Sequence, residues 1–91
     1  MVTYTWQEGY IAATPDILHG QPIIVGTRVP VYAIAEMWQM GDTPESIADQ
    51  LDLPIARVFA ALSYYADHLP EINAAIEQNR LPADQLEQLV Q

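Results

Sequence analysis

Ninety-one residues suffice for one small domain, and an apolar content of 51% sets the chain apart from disordered sequences. Cysteine is absent, which excludes a disulfide framework or a cysteine-ligated zinc site and fits a reducing compartment. Three arginines and no lysine face twelve acids, for a net charge of −9; this argues against a protein that grips nucleic acid unaided, and the acidity reads either as solubility or as attraction to a basic partner.

The opening MVTYTWQEG lacks the basic region and apolar core of a signal peptide. No apolar run approaches membrane-spanning length, so a cytoplasmic protein without membrane contact is expected. Residues 2–6 and 10–13 have strand composition, and Thr14-Pro15-Asp16 opens a turn that Gly20 ends. Pro22-Ile23-Ile24-Val25 is a short strand that leads into the first helix, opened by a proline suited to a strand's first residue or an edge, so one or two short N-terminal strands are expected. Gly26-Thr27 then supplies turn chemistry. From Val31 the apolar residues Val31, Ile34, Ala35 and Trp38 mark one face of a helix over about 30–40, with Pro30 in its first turn and Gly41 as its cap. Trp38 is expected to be buried against Ile47, Val58 and Leu62.

Thr43-Pro44-Glu45 is a strong helix start, with Thr43 as N-cap, and the helix over about 43–51 buries Ile47, Ala48 and Leu51. Asp52-Leu53-Pro54 restarts the chain into a third helix, about 54–67, with Ile55, Val58, Ala61, Leu62 and Tyr65 inward. Leu69-Pro70 begins a fourth helix with Leu69, Ile72 and Ile76 on one face. Leu81-Pro82 begins a short terminal one with Leu86, Leu89 and Val90. Three helices joined by such tight connections have the form of a helix-turn-helix bundle.

The stretch TPDILHGQPIIVGTRVPV, the restart at Gly41-Asp42-Thr43-Pro44-Glu45 and the later Ala60-Ala61-Leu62-Ser63-Tyr64-Tyr65 resemble the domain-of-unknown-function 433 family. The core of the likeness is Pro22 with Gly26-Thr27-Arg28-Val29-Pro30, and it extends over residues 10–77. Two positions depart from the pattern: Val25 stands where arginine is frequent, and His19 where a second glycine is frequent. The resemblance implies a mainly α, homeodomain-like three-helix bundle with short N-terminal β-strands that support dimerisation. The single domain, 1–91, then has its core over 10–77 and additional C-terminal helices in a tail over 78–91. It further implies an antitoxin paired with a PIN-like nuclease toxin, or helix-turn-helix DNA binding.

Candidate residues follow from these elements. Arg28, at the strand-to-helix junction, has two readings: contact with a partner's carboxylates or a phosphate, or a structural ion pair, with Glu36 or Asp16, or a carbonyl clamp that fixes the turn. In helix three, Arg57 lies where a recognition helix reads a base, and Ser63 and Tyr64 can add phosphate bonds. The C-terminal segment, with Ile72, Ile76, Arg80 and Leu86, reads either as an acidic amphipathic arm for a basic partner or as a helix packed on its own core. His19 and His68 are too few for a metal site, no nucleophile has an evident base, and no cofactor or enzyme activity is expected. The expected protein is thus a homodimer formed through the N-terminal segment. It acts as an antitoxin-type subunit against a PIN-like nuclease, as a dimeric regulator of DNA, or as a structural dimer module of neither activity.

Overall fold

The β-branched and aromatic runs of the N-terminal third pair with one another. In the computed structural model, which describes residues 3–90 and of these 80–90 by backbone alone, they form a three-stranded antiparallel sheet. Strands β1 (Tyr4–Trp6), β2 (Ile11–Ala13) and β3 (Ile23–Ile24) lie in that order, with Trp6 opposite Ile11 and Ile11 opposite Ile24. Because the strands satisfy each other within one chain, the unpaired edges that argue for a mate reduce to two short outer ones. Left-handed turns punctuate the sheet: Gln7, Glu8 and Gly9 between β1 and β2, then Leu18, His19 and Gly20 before β3, all at positive φ. His19 thus holds a left-handed conformation (φ 57) at a position where glycine would be unstrained.

Four helices follow: α1 (Val31–Gln39), α2 (Pro44–Leu51), α3 (Ile55–Asp67) and α4 (Leu69–Val90). Their boundaries have local causes. Gly41 takes φ 100, so its N–H reaches Trp38 and that of Asp42 reaches Met37, closing the carbonyls left open at the end of α1. Thr43 caps α2 by accepting the Ser46 N–H at 3.1 Å. Asp52, left-handed, ends α2 as Gly41 ends α1, with the Leu53 N–H bonded to Ala48 at 2.9 Å. The separate terminal helix expected from Leu81-Pro82 is part of α4 instead; a proline removes a single backbone donor, and the helix continues across it. The architecture is a mostly helical domain with a small N-terminal antiparallel sheet, and no helix among the described residues is long and apolar enough to cross a membrane.

Ile11 and Ile24 from the sheet, Val31 and Ile34 from α1, Ile47 from α2, Val58 from α3 and Ile72 from α4 form the centre of one core. Ile72 and Ile76 are therefore buried within the chain and unavailable to a partner, a correction to their reading as docking residues. Arg80 and Leu86 have side chains outside the described residues. Trp38 corrects a second expectation: it is 48% exposed. It falls one residue before the end of α1, where the chain turns away through Gly41 into α2, so no element closes over its indole.

Candidate functional site

Helix α3 carries the site, and its two long faces have opposite fates. Along one, the N-terminal sheet and its first turn lie against the helix. Tyr64 is 5% exposed, with Trp6 packed edge-on at 5.1 Å and His68 stacked on its ring at 3.9 Å. Burial pushes the Tyr64 phenol above its usual pKa, and the nearby Glu71 carboxylate adds to the rise. Ser63 accepts a hydrogen bond from Gln7 Nε2 at 2.7 Å. Arg57 donates to the Val25 carbonyl at 3.0 Å and places its guanidinium 4.8 Å from the Tyr10 ring centre. The three residues read as a DNA-contacting face thus come together, but on the chain's own sheet. Tyr64 is a core residue, which corrects its assignment to the outer face.

The other face of α3 stays open. Ile55 is 40% and Phe59 51% exposed; Leu62 is half-buried and Ala66 exposed. Ile55, expected inward, is therefore at the surface. Phe59, Leu62, Tyr65 and Ala66 of α3 form a groove with Trp38 of α1, Pro44 of α2 and Leu69 of α4, with a volume of about 420 Å³. No charged side chain lines it. The Tyr65 hydroxyl on its border is already engaged, accepting from Gln39 at 2.7 Å and donating to Asn73 at 2.9 Å.

Arg28 sits apart from both faces. After β3 the chain folds back so that Ile24 N–H bonds to the Val29 carbonyl at 2.9 Å, and Ile23 pairs with Pro30. Thr27 fixes this loop: its hydroxyl donates to the Ile24 carbonyl at 2.8 Å and accepts from the Val29 N–H at 3.0 Å. Arg28 projects from this loop, exposed. His68 Nδ1 lies 3.0 Å from the Tyr64 carbonyl, and among the described residues no group of three or more His, Asp or Glu is arranged to hold a metal.

The pieces just described coincide with a known family pattern. The model of the family described as protein of unknown function (DUF433) matches residues 11–65, more than half of the chain, from β2 to the groove residue Tyr65. The chain belongs to the DUF433 family. It is 35% identical over 60 residues to the uncharacterized protein y4eO of Sinorhizobium fredii (strain NBRC 101917 / NGR234); the match covers 66% of this chain but spans only 27% of that relative's length. A crystal structure of a DUF433 member from Anabaena variabilis ATCC 29413 superposes with a TM-score of 0.70 at 28% identity, over 75% of this chain and 68% of that one. The DUF433 match includes the Thr27 clamp, Arg28 and most of α3, while Leu69 and the rest of α4 lie beyond it.

Sequence reasoning missed Phe59 and misplaced Trp38. A signal exists for Phe59: it is the sequence's one phenylalanine and lies off the apolar face that periodicity assigns to α3. A large aromatic out of phase with its helix marks a surface with a use.

Proposed function

We propose that this DUF433 chain is a non-enzymatic binding protein, an antitoxin-type subunit that neutralises a PIN-like nuclease. The observation that carries this reading is the uncharged groove at Trp38, Phe59, Leu62 and Leu69, open to solvent on a chain of net charge −9. An exposed apolar surface on an acidic body suits a basic protein: the apolar contact supplies affinity and the surrounding carboxylates speed encounter. An RNA-cutting enzyme is such a partner, because its substrate channel must attract phosphate. The mechanism is occlusion, with the bound subunit blocking the approach of RNA.

The second reading, a dimeric homeodomain-like helix-turn-helix regulator, draws support from the tight Asp52–Pro54 connection between α2 and α3. It is disfavoured by the engagement of Arg57 and Ser63 with the chain's own residues and by the net charge. The test is direct. The protein is mixed with the PIN-like nuclease of its own genomic neighbourhood, and RNA cleavage is followed as the molar ratio rises. Cleavage stopping near equimolar ratio supports the antitoxin reading. Undiminished cleavage, together with tight binding of the isolated protein to its own upstream DNA at physiological salt, replaces it with the regulator.

A further inference from the structure

We propose that the open face of α3 is the seat of one basic amphipathic helix presented by the partner protein. This deepens the antitoxin-type reading and rests on it only for the identity of the protein that carries the helix.

The shape comes first. Ile55, Phe59, Leu62 and Ala66 follow one another at intervals of four, three and four, and Leu69 continues the row after the turn into α4. That spacing is the seam along which two helices pack. Trp38 and Pro44 raise the opposite wall, so the seam is a trough rather than a ridge. Four of its large side chains (Trp38, Ile55, Phe59 and Leu69) are each 40–51% exposed, while the core beneath them is closed.

The occupant must be helical. The groove walls are helix side chains and offer no strand edge. The Tyr65 hydroxyl is committed to Gln39 and Asn73. An extended segment laid here would leave its N–H and C=O groups unpaired against an apolar surface, whereas a helix pairs its own. Three apolar side chains at i, i+3 or i+4, and i+7 would fill the trough.

Charge selects among helices. Acids neighbour the groove residues along the chain at both ends: Asp42 and Glu45 flank Pro44, Asp67 follows Ala66, and Glu71 lies two residues past Leu69. Glu45, Asp67 and Glu71 are exposed. The nearest arginine in sequence, Arg57, is turned to the other face of α3, onto Val25 and Tyr10. A helix with lysines or arginines beside its apolar stripe therefore meets apolar side chains in the groove and carboxylates around it. A second copy of this chain would instead bring the same carboxylates together, with −9 on each side. The chain's own segment 80–91 carries Asp84 and Glu87 against Arg80 and is disfavoured in the same way.

The experiment uses two synthetic helices with an identical leucine stripe, one flanked by lysines and one by glutamates, titrated into the full chain. Binding is read by calorimetry and by the emission of Trp38, which shifts to the blue as its indole is covered. The lysine helix is expected to bind one to one with that shift, and the glutamate helix to give none. Phe59→Asp is the deciding variant, since it adds a negative charge while removing the central apolar contact. Seating in the groove predicts binding about tenfold or more weaker; nonspecific attraction to an acidic protein predicts stronger binding, and that result overturns the proposal. Leu69→Ser, which adds no charge, should weaken binding in the same direction, and circular dichroism of both variants verifies that they remain folded. Light scattering that finds the free chain dimeric, with Trp38 already blue-shifted and deaf to the lysine helix, also overturns it and gives the groove to a second copy. If Phe59→Asp loses the lysine helix but still silences the nuclease, this assignment fails and the antitoxin reading stands. If the helix binds as described and no nuclease is inhibited, the antitoxin reading fails and the groove assignment stands.

Discussion

The two flanks of α3, on either side of its buried Val58 and Ala61, differ in what meets them. The covered face carries Arg57, Ser63 and Tyr64, residues with polar tips, and each is met by a group of the N-terminal segment. The open face carries Ile55, Phe59 and Ala66, which are exposed, and Leu62, which is half-buried. Between these two flanks Val58 and Ala61 are fully buried, so α3 packs its central face into the core and leaves a second apolar row partly in water. The contacts of the covered flank hold the fold together, and the open flank is the one proposed above to bind. Each substitution below tests one side of that division.

The largest effect belongs to Tyr64. Its ring is buried between Trp6 and His68, so Tyr64→Ala leaves a cavity under the sheet and should cost about 3–5 kcal/mol in urea unfolding. A loss below about 1 kcal/mol would mean that the sheet does not pack on α3, and the covered face would again be free to meet DNA. Arg57 comes next. Arg57→Ala removes a charged donor from the Val25 carbonyl and a cation from the Tyr10 ring, for a loss of about 1–2 kcal/mol. An arginine held in reserve for phosphate would give no loss at all.

How far the sequence reaches can be judged from these same residues. Helix boundaries are legible because they rest on local chemistry: Thr43 caps α2, Gly41 ends α1, and Pro44 and Pro70 sit in the first turns of α2 and α4. The strand segments are legible as candidates, but the composition points to one or two strands and the sheet has three, because β2 is Ile-Ala-Ala and takes its place by pairing with both neighbours. The faces of α3 are legible in part: Val58 and Ala61 are buried as their spacing predicts and Leu62 and Tyr65 pack half-buried against the core, but Ile55 is exposed and Tyr64 is buried. Tyr64 and Tyr65 are adjacent, and periodicity alone ranks the face of Val58, Leu62 and Tyr65 above that of Arg57 and Tyr64. What buries Tyr64 as well is the N-terminal segment, where Trp6 packs on its ring and Gln7, 56 residues before Ser63 in the chain, bonds to that serine. No helical period encodes contact with so distant a segment. The part of Thr27 is illegible for a related reason: its hydroxyl closes the loop beside Arg28, and only the geometry shows it.

A smaller effect of the covered face should appear at alkaline pH. The folded state holds the Tyr64 phenol above the ordinary tyrosine value of about 10, chiefly through burial and secondarily through Glu71. The folded chain therefore keeps a proton there that the unfolded chain releases. Stability from this group is complete below about pH 10 and falls as pH rises from there toward the folded-state value. Tyr64→Phe removes that dependence while keeping the ring. Urea midpoints of the two proteins should converge or cross above pH 10, and parallel midpoints throughout would place the phenol in water.

The smallest effect is the one that best separates the faces. Phe59 is as large as Tyr64 without its hydroxyl and lies on the same helix, yet half of it meets water. Phe59→Ala gives up the contact of the remaining half with its groove neighbours. It also gains the higher helix propensity of alanine, about 0.5 kcal/mol, which offsets part of that loss. The net change in the free protein should stay below about 1 kcal/mol, against several for Tyr64→Ala. Unfolding of the two variants in one urea series makes the comparison independent of extrapolation, because both midpoints refer to the same parent. A Phe59 loss as large as that of Tyr64 would mean that the groove closes over Phe59 in solution and that α3 has no open face. A small loss in the free chain, joined to a large one once a basic helix is bound, would assign the energy of that aromatic side chain to the partner rather than to the fold.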